Sequence, residues 1–317
     1  MTGNLAAAAW ATMDVMASVL PSVYIGLFLA AYLGRRGIGG GRRLLFAVTA
    51  LSGLPPACAL SVLLAVGDRT AGMAAVAVAR EQAGLTDREV VAANLVAKAP
   101  SVLQFFIFSF IPIMTALYPL KIAVRFLTIY FAAFLVISLL GAVYARIRRR
   151  TGVTCPAGEP AATAGVSRRA AAAAALAATG RPFVSMALWM AGMTFVAMLF
   201  IKAGWLQRLT DYLPVLARLG LDAGVLTLAG TGLVSMIGGV AAVGAALRDG
   251  ALPAAAVAPL LLTISLLHNF YDLFASSLPR AVGVFGHRLG VKVALTGFLV
   301  TQAVMLTMLI LAAKSLI

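Results

Sequence analysis

Hydrophobic positions along this chain come in long blocks, too long for strands and without the polar face of a soluble helix. In the first half they cover 13–34, 44–67, a shorter 70–83, 90–117 and 122–144. In the second half they cover 182–201, 225–247, 253–273 and 291–311, with an amphipathic stretch at 205–219. A helix needs roughly 20 mostly apolar residues to cross the hydrocarbon core of a bilayer. The pattern therefore predicts an all-α polytopic membrane protein of about ten membrane helices or half-helices. Segment 146–181 breaks the pattern with Gly, Pro, Ala, Thr and seven arginines and reads as a linker. The chain thus divides into a membrane unit over 1–145, a basic linker over 146–181 and a second membrane unit over 182–317.

Composition sharpens this. Of 317 residues, 62% are apolar or aromatic and 11% charged, where a soluble domain carries roughly 25% charged residues. With a mean hydropathy of +1.01, a soluble enzyme, a disordered chain and a disulfide scaffold are excluded. The net charge of +15 is concentrated. Arg35, Arg36, Arg42, Arg43 and the seven arginines of 146–181 hold 11 of the 25 basic residues. Basic loops beside apolar spans mark the cytoplasmic side, which predicts a prokaryotic cytoplasmic (inner) membrane, an outside N-terminus and a cytoplasmic linker. Neither stretch offers the folded basic face of a nucleic-acid binder. The N-terminus lacks the basic region of a cleaved secretory signal. Cys58 and Cys155 provide no disulfide framework.

The two halves resemble each other at an interval of 167 residues. Gly72, Ala74, Ala75, Val76 and Ala79 then fall on Gly239, Ala241, Ala242, Val243 and Ala246, and Pro112 falls on Pro279. In the same register Tyr118 meets Phe285, Lys121 meets Arg288 and Arg125 meets Lys292. A duplicated unit of about 140 residues follows, the arrangement that places binding sites between repeats in transporters. The first span runs from outside to the cytoplasmic Arg35–Arg43 loop, whereas its counterpart starts at Arg181 on the cytoplasmic side. The copies are therefore expected to be inverted, although Lys121 and Arg125 then fall towards the outer side.

Several blocks are interrupted. Gly53, Pro55 and Pro56 fall inside the second block, and Gly67-Asp68-Arg69-Thr70-Ala71-Gly72 follows it. Gly230, Gly232, Ser235, Gly238 and Gly239 occupy corresponding positions in the second half. Broken membrane helices expose backbone groups that need a partner, so the breaks, with Asp68, Thr70 and Ser235, are candidate solute contacts. The competing reading is close helix packing at glycine. Polar stripes follow each break: Asn94, Lys98, Ser101 and Gln104 in the first half, and Ser265, His268, Asn269 and Asp272 in the second. A charged group within a span costs roughly 2.5–3.5 kcal/mol on insertion scales, so Lys98 and Asp272 call for partners or a wet cavity. Snorkelling, or a merely structural ion pair such as Asp272 with Arg280, is the plainer account.

Enzyme motifs are missing. There is no HExxH pair and no Walker A loop, and the chain is read as a non-enzyme without a cofactor. Met186, Met190 and Met193 follow helical spacing, which suits packing better than a soft-metal path.

The run Gly67-Asp68-Arg69-Thr70-Ala71-Gly72-Met73, then Gly84-Leu85-Thr86-Asp87-Arg88-Glu89, and Ala93-Asn94-Leu95 to Pro100, resembles the "nucleoside recognition" or gate domain. Gly250-Ala251-Leu252, Leu260-Leu261-Leu262 and Leu278-Pro279-Arg280 to Gly286 resemble a second, diverged copy. The likeness is to stand-alone two-gate membrane proteins of bacteria and archaea. Related gate domains occur in concentrative nucleoside carriers, the bacterial ferrous-iron transporter and spore maturation proteins. The resemblance implies a transport-type fold with two gate units and a solute that could be nucleoside-like. The chain lacks the iron transporter's GTPase domain, and no residue matches a nucleoside contact closely enough to be carried over.

The expected function is a permease for a small polar or anionic solute bound near the midplane, in which H+ or Na+ could be the coupling ion. Its partners are the lipid bilayer and the solute, and a homo-oligomer is compatible with the sequence. A non-transporting membrane scaffold and a divalent-metal transporter are the alternatives.

Overall fold

The computed structural model describes the chain except residues 1, 37–41, 68, 150–166, 203–229, 231, 234 and 315–317. Asp68, the amphipathic stretch 205–219 and most of the 146–181 linker therefore lie outside the described residues. What is described is helical, without strands.

In chain order the helices are α1 (Thr2–Arg36), α2 (Arg42–Ser52), α3 (Pro56–Gly67), α4 (Arg69–Ala83), α5 (Asp87–Val96) and α6 (Lys98–Phe105). A π turn over Phe106–Phe110 leads to α7 (Ile111–Leu117), α8 (Leu120–Arg149) and α9 (Arg168–Lys202). The rest comprises α10 (Met236–Arg248), α11 (Ala254–Asp272), a π turn over Leu273–Ser277, α12 (Leu278–Phe285) and α13 (His287–Lys314).

Among the described residues three segments are long and apolar enough to cross a membrane: Leu120–Ile147, Ala254–Phe285 and His287–Lys314. Their outward faces are greasy. Leu120, Val124, Leu135, Leu139, Leu140 and Ile147 on α8, and Leu295, Leu299, Leu306, Ile310 and Leu311 on α13, are exposed. That much contiguous exposed apolar surface fits contact with lipid rather than water. By contrast α2, α3 and α4 are 11, 12 and 15 residues long. At 1.5 Å per residue none of them covers a core of about 30 Å alone.

The breaks have local causes. Gly53 ends α2 in the left-handed region at φ 72°, and Pro56 opens α3, where its missing N–H costs nothing. Arg146 reaches over from α8 and donates to the carbonyls of Ala50 and Leu51 at 2.8 Å each, capping the end of α2. Gly84, at φ 65°, ends α4. Thr86 then opens α5 with a capping box: its backbone N–H donates to Glu89 Oε2 at 2.8 Å, and its hydroxyl accepts from the Glu89 N–H.

Block 90–117 is not one helix. Pro100 lacks the N–H that would bond Val96. One residue earlier, the Ser138 hydroxyl inserts itself into the ladder. It accepts from Ala99 N–H at 2.8 Å and donates to Leu95 O at 3.3 Å, the pair that would otherwise bond each other. Gly141 permits this approach, since a Cβ there would strike Leu95 and Val96. Both π turns end two residues before a proline, Pro112 or Pro279, whose missing donor loosens the preceding ladder.

Helix α5 packs on α8 and α13, and α11 packs on α13 and α8, with α8 and α13 touching between them. Contacts between α4 and α12 and between α7 and α10 complete the layer, and the Tyr118 hydroxyl donates to the Val240 carbonyl. α1 and α9 lie against each other, α1 covering α4 and α9 covering α12. The starts of α4, α5, the first π turn, α7 and α8 recur 167 residues later as the starts of α10, α11, the second π turn, α12 and α13.

Gly72, expected as a helix break, lies within α4 instead. It sits in the first turns of α4, where a Cβ would meet Ala65 and the Ser61 carbonyl, so its part is close packing of α4 on α3. Gly232 and Gly239 are likewise packing positions, against Ile264 and each other.

Candidate functional site

The kink at Ala97 aims Lys98, first residue of α6, between the halves. It borders two small voids. One, of about 20 Å³, is shared with Arg69, Asn94, Ser277, Ala281 and Gly297. The other, of about 10 Å³, is shared with Arg69, Gly72, Asn94 and Ser101. The larger has room for about one water molecule. The Lys98 ammonium has no hydrogen bond and no ion pair among the described residues.

Asp272 ends α11 on the other side. Its Oδ2 accepts from the Ser277 hydroxyl at 2.6 Å, a pairing five residues apart that the i→i+5 geometry of the π turn makes possible. Arg69 Nη1 stands 4.0 Å from Oδ2 and Arg280 Nη2 stands 3.9 Å from Oδ1. These are ion pairs in reach of one another but not hydrogen bonds, which close at about 2.7–3.2 Å. Arg280 spends its Nε–H on the Ser276 carbonyl at 3.3 Å. Among the described residues the charged groups near Lys98 are Arg69, Asp272 and Arg280. Two of these cations, Arg69 and Arg280, stand within 4.0 Å of the Asp272 carboxylate.

The candidate residues divide. Asn94, Lys98 and Ser101 come together at the voids, with Asn94 Nδ2 donating to Val90 O at 3.0 Å and the Ser101 hydroxyl to Lys98 O at 2.9 Å. Thr70 is buried on α4. Ser265 and His268 point elsewhere: the Ser265 hydroxyl donates to Leu261 O at 2.8 Å, and His268 Nδ1 lies 3.2 Å from Leu233 O. Asn269 Nδ2 is buried without a hydrogen-bond partner. Ser235 is the N-cap of α10, its hydroxyl accepting from Gly238 N–H at 3.0 Å, so it caps the helix rather than facing the voids. Gly53 and Pro55 lie in the gap between α2 and α3, Gly67 ends α3, and Gly230 stands at the edge of the described residues. The side chain of Gln104 lies outside the described residues. Arg69, Ser277 and Gly297 were missed as candidates.

The 167-residue interval maps this site onto a second place in the molecule. Arg69 becomes Met236, Lys98 becomes Ser265, Asn94 becomes Leu261, Ser277 becomes Phe110 and Gly297 becomes Tyr130. These counterparts also meet. Ser265 Oγ lies 3.7 Å from the Met236 sulfur, Tyr130 reaches Ser265, and the Phe110 and Tyr130 rings stack at 5.4 Å. Phe110, Phe126, Met114 and Leu261 are fully buried there. Where one locus holds charge around a void, its counterpart is filled.

Comparison of the chain with protein-family models, curated proteins and solved structures returns no match.

Proposed function

We propose that this chain is an integral membrane permease for a small polar or anionic solute, built from two inverted gate-type units of about ten helices and half-helices. The observation that carries the reading is Lys98, a cation without a hydrogen-bonding partner among the described residues, beside a void between the halves. Burying such a group costs several kcal/mol on general grounds, which a purely structural role leaves without return. The recurring element starts support the two-unit layout, and the exposed apolar faces of α8 and α13 support the membrane setting. Positive-inside reasoning gives the orientation, with the N-terminus outside and the linker cytoplasmic. The three cations repel a metal ion, which weakens the metal-transport alternative. A scaffold gives Lys98 no task.

The test is uptake into proteoliposomes from a panel of labelled nucleosides, organic anions and phosphate. Uptake of one class by the wild type, lost in Lys98→Met with folding retained, is expected. No uptake of any class by folded protein would transfer the weight to the scaffold.

A further inference from the structure

We infer that the ion pair between Asp87 and Lys292 is a latch between the two halves, closing the seam of α5 and α13 at one end of the Lys98 void. A latch of this kind serves a permease that opens its site to one side at a time, so its purpose rests on the permease reading.

Asp87 opens α5 and Lys292 lies in the second turn of α13, with 4.0 Å between Oδ2 and Nζ. One turn further along α5 stands Val91, and the next residue of α13 is Val293. Both valines are buried and both line the void. From the surface inward the seam thus runs from ion pair to apolar plug to void. Parting Asp87 from Lys292 frees α5 from α13 at the outermost of these layers.

Chain direction fixes which end this is. Leu95 meets Ser138 and Phe110 meets Phe126, so α5 to α7 run antiparallel to α8. Asp87 therefore lies towards the Arg149 end of α8, the cytoplasmic end in the proposed orientation, and Tyr118 lies at the opposite end.

The two ends are held differently. At the Tyr118 end the buried Tyr118 hydroxyl donates to the Val240 carbonyl, and a Cβ on Gly244 would meet Leu117 and Tyr118 at 3.0–3.3 Å. The counterparts of Tyr118 and Gly244 are Phe285 and Ala77, so the Asp87 end lacks both the hydroxyl and the glycine. Its ion pair is half exposed, at 46% for Asp87 and 50% for Lys292. The counterparts of Asp87 and Arg80 are Ala254 and Leu247, so the pair is not repeated at the sealed end. Half-exposed ion pairs are weak, as a contact that breaks in every cycle has to be. A buried hydrogen bond is costly to break without a replacement partner, so the Asp87 end opens and the Tyr118 end holds. Arg80 keeps the carboxylate partnered meanwhile: from the last turn of α4 its Nη2 donates to Asp87 Oδ1 at 2.9 Å within the same half. The N-terminus of α5 also favours the negative charge of Asp87.

The experiment places a single reporter thiol at Val91→Cys, with Val293→Cys as a second reporter, in protein carrying Cys58→Ala and Cys155→Ala. Full-length protein, folded by gel filtration, is put in nanodiscs and the rate of labelling by N-ethylmaleimide is measured. Lys292→Gln is expected to raise the rate about two- to fivefold, the worth of one half-exposed ion pair. Lys292→Arg should keep the slow rate, because it keeps the charge. Arg80→Gln should also keep it, because it leaves the pair between the halves in place. An unchanged rate in Lys292→Gln with both reporters, or an equal rise in Arg80→Gln, would overturn the inference. Joining Asp87→Cys to Lys292→Cys with a bifunctional thiol reagent is expected to stop uptake. Faster labelling in Lys292→Gln without uptake of any solute by the wild type keeps the latch and removes the permease. Uptake that persists in the cross-linked protein keeps the permease and removes the latch.

Discussion

The place around Lys98 and the place around Ser265 are assembled from corresponding elements at a constant interval, and they differ in almost every side chain that matters. At the first, Arg69 and Arg280 flank Asp272, and Arg69 and Lys98 line a void. At the second, Met236, Phe110, Phe126 and Tyr130 fill the same volume with apolar atoms and stacked rings. Corresponding elements therefore meet twice over, and side-chain size decides whether they leave a charged void or a packed core. The lesson concerns division of labour: the filled locus supplies cohesion, which allows the open one to carry unfavourable charge.

Breaking the filled locus should cost the most. Tyr130→Ala is expected to destabilise the protein by about 3–5 kcal/mol, as deletion of a packed aromatic does, measured by reversible unfolding in detergent. Lys98→Met should act in the opposite direction. Removing an unpaired buried cation relieves its desolvation and its repulsion by Arg69 and Arg280, so this variant should be more stable and should lose uptake. Equal or lower stability would mean that Lys98 is well partnered after all.

Ser138→Ala tests what sets the open locus apart, because α11 runs through the corresponding point as one helix. Leaving the Ala99 N–H unpaired should cost about 1–3 kcal/mol and should also weaken solute binding through Lys98. The smallest effect is at the helix starts. Thr86→Ala removes the cap of α5 and should cost about 1 kcal/mol, whereas α11 starts at Pro253 without any side-chain cap.

Much of this was legible in the sequence. Hydropathy alone located α8, α11 and α13, and the 167-residue interval needed only the chain itself. Lys98 and Asp272 stood out because charge inside an apolar block is costly. Other features left no local signal. Ser138 enters the α5–α6 ladder from about 40 residues away in sequence, and nothing near Ala99 announces that contact. Arg69 reads as a loop charge until α4 is seen to face α12. The two π turns have no residue preference of their own beyond the prolines that follow them. Gly297 is one glycine among 30, and it gains meaning only beside Tyr130.

The constant interval has a historical consequence. If the halves descend from one ancestral segment, then across α4 to α8 and α10 to α13 every element start except that of α6 has kept its spacing while the lining residues were replaced. Substitution was tolerated freely and change of length was not. The inheritance of this protein is thus a ruler rather than a residue set, and a segment exchanged between the halves at equal length should still fold while moving the site from one crevice to the other.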